Sequence, residues 1–120
     1  MANILAVDDS VSMRQMVGFA LKSAGHQVTE ACDGVEALAV ANDATFDLVI
    51  TDVNMPNMDG IALIRELRKL PSFKFTPILM LTTETSGEKK QEGKAAGATG
   101  WIVKPFNPNQ LIATIGKVLG

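Results

Sequence analysis

Five short strand-like segments, four of them mainly apolar and each followed by a segment of helical period, leave this chain few folds to adopt. Residues 4–7 are apolar and stop at Asp8-Asp9, and from there Met13, Met16, Val17, Ala20, Leu21 and Ala24 recur as one helical stripe. Gly25 suits a left-handed C-cap, whereas Gly18 inside the stripe lowers helix preference by about 1 kcal/mol and calls for strong packing or a close helix contact. Residues 27–31 form a second strand, and Asp33-Gly34-Val35-Glu36 has the spacing of a capping box before a helix over 35–41. Residues 46–51 carry a third strand whose 48–50 run is continuously apolar, as expected of a parallel strand covered on both faces. Asp59-Gly60 opens a helix burying Ile61, Leu63, Ile64, Leu67 and Leu70, which Pro71 ends.

A fourth strand over 77–81 leads to Thr85-Ser86-Gly87-Glu88, a capped start for a very polar helix that reaches Ala96 and closes at Gly97. The plain reading of that helix is a mostly solvated element; a protein-docking surface is the alternative. The fifth strand spans 100–103. Asn107-Pro108-Asn109-Gln110 then supplies cap, first-turn proline and third-position glutamine for a last helix carrying Leu111, Ile112, Ile115, Val118 and Leu119. Right-handed crossovers would lay these helices on both faces of one parallel sheet, an α/β doubly wound fold of five strands.

At 120 residues the chain fits one domain, residues 1–120. Lys plus Arg number 11 against 13 for Asp plus Glu, so direct nucleic-acid binding is not expected. The first apolar run has no basic stretch before it and is far shorter than a bilayer span, and the last helix lacks a basic polar face; a soluble, cytoplasmic protein without membrane insertion is the expectation. Cys32 stands alone and reads as a small buried side chain, and His26 as a surface or boundary residue.

Doubly wound sheets bind ligands beyond the carboxyl ends of their strands. Asp9, Asp52, Thr82 and Lys104 all fall at that edge. Asp8, Asp9 and Asp52 brought together repel one another, so a cation or protons must compensate them. Mg²⁺, which prefers oxygen donors and keeps several waters, fits better than zinc, for which no His or Cys cluster is present. Lys104 adds a compact positive charge and Thr82 a hydroxyl, a pair able to orient phosphoryl oxygens, with Asp52 as nucleophile. The bland alternative is that each acid caps a turn and Lys104 pairs with one of them.

Val7-Asp8-Asp9-Ser10, Asp52 followed by Met55-Pro56 and Met58-Asp59-Gly60, Thr82, Gly97-Ala98 and Lys104-Pro105-Phe106 together resemble the receiver domain of two-component response regulators, over essentially the whole chain. The resemblance implies a flavodoxin-like strand order, 2-1-3-4-5. It implies that Asp52 is the phosphoacceptor, that Asp9, Asp52 and the Asn54 backbone carbonyl hold Mg²⁺, and that Asp8 acts chiefly through a metal-bound water. Lys104 and Thr82 resemble the phosphoryl-binding pair. Thr82 would move toward the phosphoryl group and make room for Trp101, which stands where tyrosine or phenylalanine is more usual. Asn54 and Glu84 occupy the border positions that tune dephosphorylation and resemble those of quickly reset chemotaxis regulators, implying phosphoprotein lifetimes of seconds to minutes.

The implied partners are a histidine kinase as donor and, on the output side, a flagellar motor switch protein, a phosphatase or a histidine phosphotransfer protein, with the chain itself a monomer. It would catalyse only its own phosphorylation and dephosphorylation. A phosphorelay intermediate or phosphate sink is the alternative within the family. A flavin module sharing the strand order is disfavoured because Asp8-Asp9 would repel the cofactor phosphate, and a phosphohydrolase because no specificity segment is evident.

Overall fold

Parallel strands cannot be joined by tight turns, so each of the first four strand segments must be followed by a crossover long enough to return the chain to the same sheet edge. The computed structural model describes residues 2–83, 87–104 and 106–119 and shows that crossover four times, each time as a helix. In chain order the elements are β1 (Asn3–Val7), α1 (Val11–Ser23), β2 (Gln27–Ala31), α2 (Gly34–Asp43), β3 (Leu48–Asp52), α3 (Gly60–Arg68), a 3₁₀ turn at Pro71–Phe73, β4 (Ile78–Thr82), α4 (Gly87–Ala96), β5 (Gly100–Val103) and α5 (Pro108–Leu119). All strand pairs are parallel and the order is β2-β1-β3-β4-β5. The fold is thus the α/β, flavodoxin-like arrangement expected.

Successive strand residues point to opposite faces, and two cores follow from that alternation. Leu5, Val7, Val49, Ile78 and Met80 face α2 and α3, joined by Ala96 of α4. Ile4, Ala6, Leu48, Ile50, Leu79, Leu81 and Ile102 face α1 and α5. β3 and β4, the central strands, are buried along their whole length, up to and including Asp52 and Thr82 at their carboxyl ends.

The caps are formed by the residues that sequence spacing singled out. Asp33 accepts from the Glu36 amide at 2.8 Å while Glu36 reaches back to the Cys32 amide at 3.0 Å. Asp59 accepts from the Ala62 amide, and Asn107 and Gln110 exchange amide-to-side-chain bonds at 2.8 and 3.0 Å. Gly25 and Gly97 adopt left-handed backbone with φ of 92° and 116°. The expected cap at Thr85-Ser86 lies outside the described residues, as does Pro105.

Several local expectations are corrected. β3 begins at Leu48, because Phe46 is buried just before the strand instead of within it. Leu70 lies beyond the end of α3, where the chain turns toward Pro71, and is only half-buried; Ala24 is the exposed C-cap of α1. Cys32 is half-buried with its Sγ 3.5 Å from Glu36, and desolvation with that carboxylate raises its pKa, the opposite of an activated thiolate. What Gly18 makes room for is no helix but the Glu30 side chain of β2, whose Oε2 would sit 3.2 Å from an added Cβ. Among the described residues, no helix is long and apolar enough to cross a membrane.

Candidate functional site

At the carboxyl edge of the sheet the ends of β1, β3, β4 and β5 meet. Asp8 extends β1 by one rung, its amide donating to the Ala31 carbonyl at 3.1 Å, and Asp52 is the last residue of β3. Both are buried, while Asp9, one residue further along the loop, is exposed. A carboxylate oxygen from each of Asp8, Asp9 and Asp52 lies within 4.8 Å of the others. The three acids that the sequence placed at distant strand ends therefore converge.

Lys104, just past β5, reaches into this cluster. Its Nζ is 3.4 Å from Asp8 Oδ2 and 3.2 Å from Asp52 Oδ1, and its backbone amide donates to the Thr82 carbonyl at 2.7 Å. That backbone bond ties the lysine to the end of β4, where Thr82 is buried. Asp52 Oδ1 also accepts from the Val53 amide at 2.8 Å, and Asp8 Oδ1 from the Ser10 amide at 2.9 Å.

One ammonium does not balance three carboxylates. Burial pushes the Asp52 carboxyl up from its ordinary range, the charge of Asp8 pushes it further, and Lys104 with the Val53 amide pulls only partly back. A crowded, oxygen-only, partly exposed donor set with surplus negative charge fits a hard divalent cation such as Mg²⁺, which takes a few carboxylates and retains waters.

The helix after β3 is built to hold Asp52 still. Gly60 donates to the Val53 carbonyl at 2.9 Å, and a Cβ on Gly60 would fall 2.0 Å from the Asp52 carbonyl oxygen, so only glycine lets α3 start this close to the acid. Asn54 lies exposed on the loop between them. Glu84 falls outside the described residues.

Trp101 sits on β5 away from the acids, 40% exposed, with Lys90 Nζ of α4 5.1 Å from its ring centroid. It borders a groove of about 590 Å³ that Lys104, Phe106, Gln110 and Thr114 also line, so one rim of the surface groove shares a residue with the acidic pocket.

One residue that sequence reasoning missed touches the site. Arg14, in the first turns of α1, donates from Nη1 to the Asp8 carbonyl at 2.7 Å. Its spacing six residues after Asp8 carries no periodic signal, and only the angle at which α1 leaves the sheet makes the contact.

Residues 4–116 match the response regulator receiver domain model. Chemotaxis protein CheY-3 of Vibrio cholerae is 41% identical over 116 residues, covering 96% of this chain and 89% of that protein. Chemotaxis protein CheY of Pseudomonas aeruginosa is 40% identical, covering 96% and 94%. Among solved structures, chemotaxis response regulator CheY4 of Vibrio cholerae superposes with a TM-score of 0.95 at 61% identity, over 98% of both chains. The receiver domain of the Pseudomonas aeruginosa sensor histidine kinase PA1611, with a magnesium ion coordinated in its active-site cleft, superposes with a TM-score of 0.92 at 27% identity, over 99% and 98% of the two chains. With its acidic cluster and its sheet order, the chain belongs to the response regulator receiver domain family and is CheY-like within it.

Proposed function

We propose that this chain accepts a phosphoryl group from the phosphohistidine of a histidine kinase onto Asp52, and that the modified protein presents a changed surface to a partner in chemotaxis. The observation that carries the reading is the position of Lys104 Nζ, in contact with both buried acids of a three-carboxylate cluster. A carboxylate oxygen of Asp52 attacks phosphorus as the P–N bond breaks, and the electron pair leaves with the donor imidazole, which takes up a proton. The product is an acyl phosphate on Asp52.

Asp8, Asp9, Asp52 and the Asn54 carbonyl would hold Mg²⁺, which supplies charge neutralisation for the transferring group. Lys104 faces the oxygens that gain charge, and its fixed backbone keeps the ammonium from following solvent. Thr82, anchored at the end of a fully buried strand, offers a hydroxyl to the same oxygens and couples their arrival to β5 and Trp101. Asn54 and Glu84 occupy, by the family pattern, the two positions whose identity tunes the lifetime of the acyl phosphate.

The similarity to chemotaxis proteins over nearly the full length favours a motor-directed output over a relay. Intact-protein mass after exposure to a small phosphodonor with Mg²⁺ should rise by one phosphoryl unit in the wild type and stay constant in Asp52→Ala. Labelling that survives in Asp52→Ala would overturn the assignment. Binding of the phosphorylated protein to motor and histidine phosphotransfer proteins then separates chemotaxis from a relay.

A further inference from the structure

The acidic pocket depends on a residue outside it. Asp8 has three polar ends besides its amide, and each is held by a different part of the chain. Oδ1 accepts from the Ser10 amide, Oδ2 faces Lys104, and the backbone carbonyl accepts from Arg14 Nη1 at 2.7 Å. The first two depend on how the Asp8 peptide is turned, and the third fixes that turn.

Arg14 is itself braced. Its amide donates to the Ser10 carbonyl, which seats it in the first turn of α1, and its Nε lies 3.4 Å from Glu30 Oε1 on β2. Glu30 can reach it because Gly18, one turn along α1, leaves open the space that Glu30 Oε2 borders. The Arg14 side chain is 18% exposed and the Glu30 side chain 34%, so the pair is partly shielded from water. With Glu30 taking its charge, Arg14 does not compete with Lys104 for the pocket carboxylates and is left to act as a donor to backbone.

We propose that Arg14 is a positioning residue for the phosphoacceptor site, holding the Asp8 carbonyl so that the Asp8 carboxylate stays turned toward Lys104 and the cation position, with Glu30 and the gap at Gly18 as its brace. The inference rests on the proposed Mg²⁺-dependent phosphoacceptor chemistry and adds to it a role for three residues that touch neither metal nor phosphate. Residues that orient metal ligands through hydrogen bonds commonly change affinity by about 10- to 100-fold when removed.

The test compares wild type, Arg14→Gln, Arg14→Lys, Glu30→Gln and Gly18→Ala by Mg²⁺ calorimetry and by hydrogen exchange of the Ser10 amide in metal-free protein. Arg14→Gln should weaken Mg²⁺ binding by about tenfold and speed Ser10 exchange, with the β3 and β4 amides unchanged. Arg14→Lys should recover part of the affinity, and Glu30→Gln and Gly18→Ala should each lose a smaller share. An Arg14→Gln protein that melts earlier yet binds Mg²⁺ within twofold of wild type and keeps Ser10 protected would reduce Arg14 to a stability contact. If wild type binds Mg²⁺ but takes no phosphoryl group, the acceptor reading fails while the positioning role still stands or falls on the affinities. If wild type binds no Mg²⁺, both fail.

Discussion

α3 and α4 lie side by side on one face of the sheet, and they are held there by opposite means. α3 buries Ile61, Leu63, Ile64 and Leu67 and begins with Gly60 pressed against the Asp52 backbone. α4 buries only Gly93 and Ala96, with Glu88, Lys89, Lys90, Gln91, Glu92 and Lys94 along the rest. The first is a scaffold for Asp52, the proposed acceptor; the second follows the strand that ends in Thr82 and has little apolar contact to lose if it shifts. A receiver needs both, since the reacting carboxylate must stay put while some neighbouring surface has two accessible arrangements.

The largest expected effect is on the scaffold. Leu67→Ala removes a fully buried side chain from α3 and should cost about 3 kcal/mol in denaturant unfolding, with a spread of about 2–5 for such sites. A Glu92→Ala change on α4 should stay within about 0.5 kcal/mol. If the two came out alike, the contrast between the helices would be wrong.

Arg68 is where the two helices are tied, and it tests whether α4 is loose along its whole length. From the end of α3 its guanidinium donates twice to the Gly97 carbonyl, at 3.0 and 2.7 Å, and also to the Phe73 and Thr76 carbonyls at 2.6 Å. Arg68→Ala would orphan these part-buried acceptors and should cost about 2 kcal/mol. Hydrogen exchange should show the loss at the C-terminal end of α4 more than at its first turn, making α4 a helix pinned at one end. Uniform loosening would remove that distinction.

Arg68 and Arg14 also mark what the sequence did not disclose. Strand and helix positions were legible because burial on a parallel sheet imposes its own period, and the Asp33, Asp59 and Asn107 caps because capping chemistry acts over three residues. The strand-end residues Asp8, Asp52, Thr82 and Lys104 were legible as a site for the same reason: the topology alone gathers strand ends. Long arginines donating to backbone carbonyls leave no such mark, since their partners are any residue whose carbonyl happens to face the guanidinium. The reach of Glu30 into the space at Gly18 was hidden likewise, since it depends on how α1 is rotated against β2.

Mg²⁺ probes the anchored side. At about ten times its Kd it should stabilise the wild type by about 1.4 kcal/mol, and Asp52→Asn by less. Its effect should also depend on pH. The folded Asp52 carboxyl lies above its unfolded value of 3.8, so the folded protein holds the extra proton, and metal-free stability falls as pH rises from about 3.8 through the raised value. Asp52→Asn should lose that portion of the slope, and thermal melts across pH with and without Mg²⁺ would show it. A wild-type slope identical to that of the variant would mean the acids do not strain the metal-free fold.

Gly93→Ala should move stability less, by about 1 kcal/mol downward. Alanine gains about 1 kcal/mol in helix preference, but its Cβ would fall 2.2 Å from Met80 Cε, an overpacking that costs about 1–3 kcal/mol. Stabilisation instead would show that the Met80 thioether or α4 itself gives way at little cost, and that the two helices differ less in packing than their burial suggests.

The smallest effect is the most telling for signalling. Lys90 stands over the Trp101 ring on the outer side of β5, a contact worth about 0.5–1 kcal/mol where partly exposed. That energy favours the outward position of the indole, and any inward turn coupled to Thr82 must overcome it. Lys90→Met should therefore leave the melting temperature nearly unchanged while shifting metal-free Trp101 fluorescence toward the signal of protein carrying a phosphoryl mimic, and Lys90→Arg should resemble wild type. A spectrum of Lys90→Met that matches wild type in both states would mean that the ammonium only shades the ring. The position of Trp101 would then be set from inside the fold, by Thr82 and its strand, and α4 would have no part in setting it.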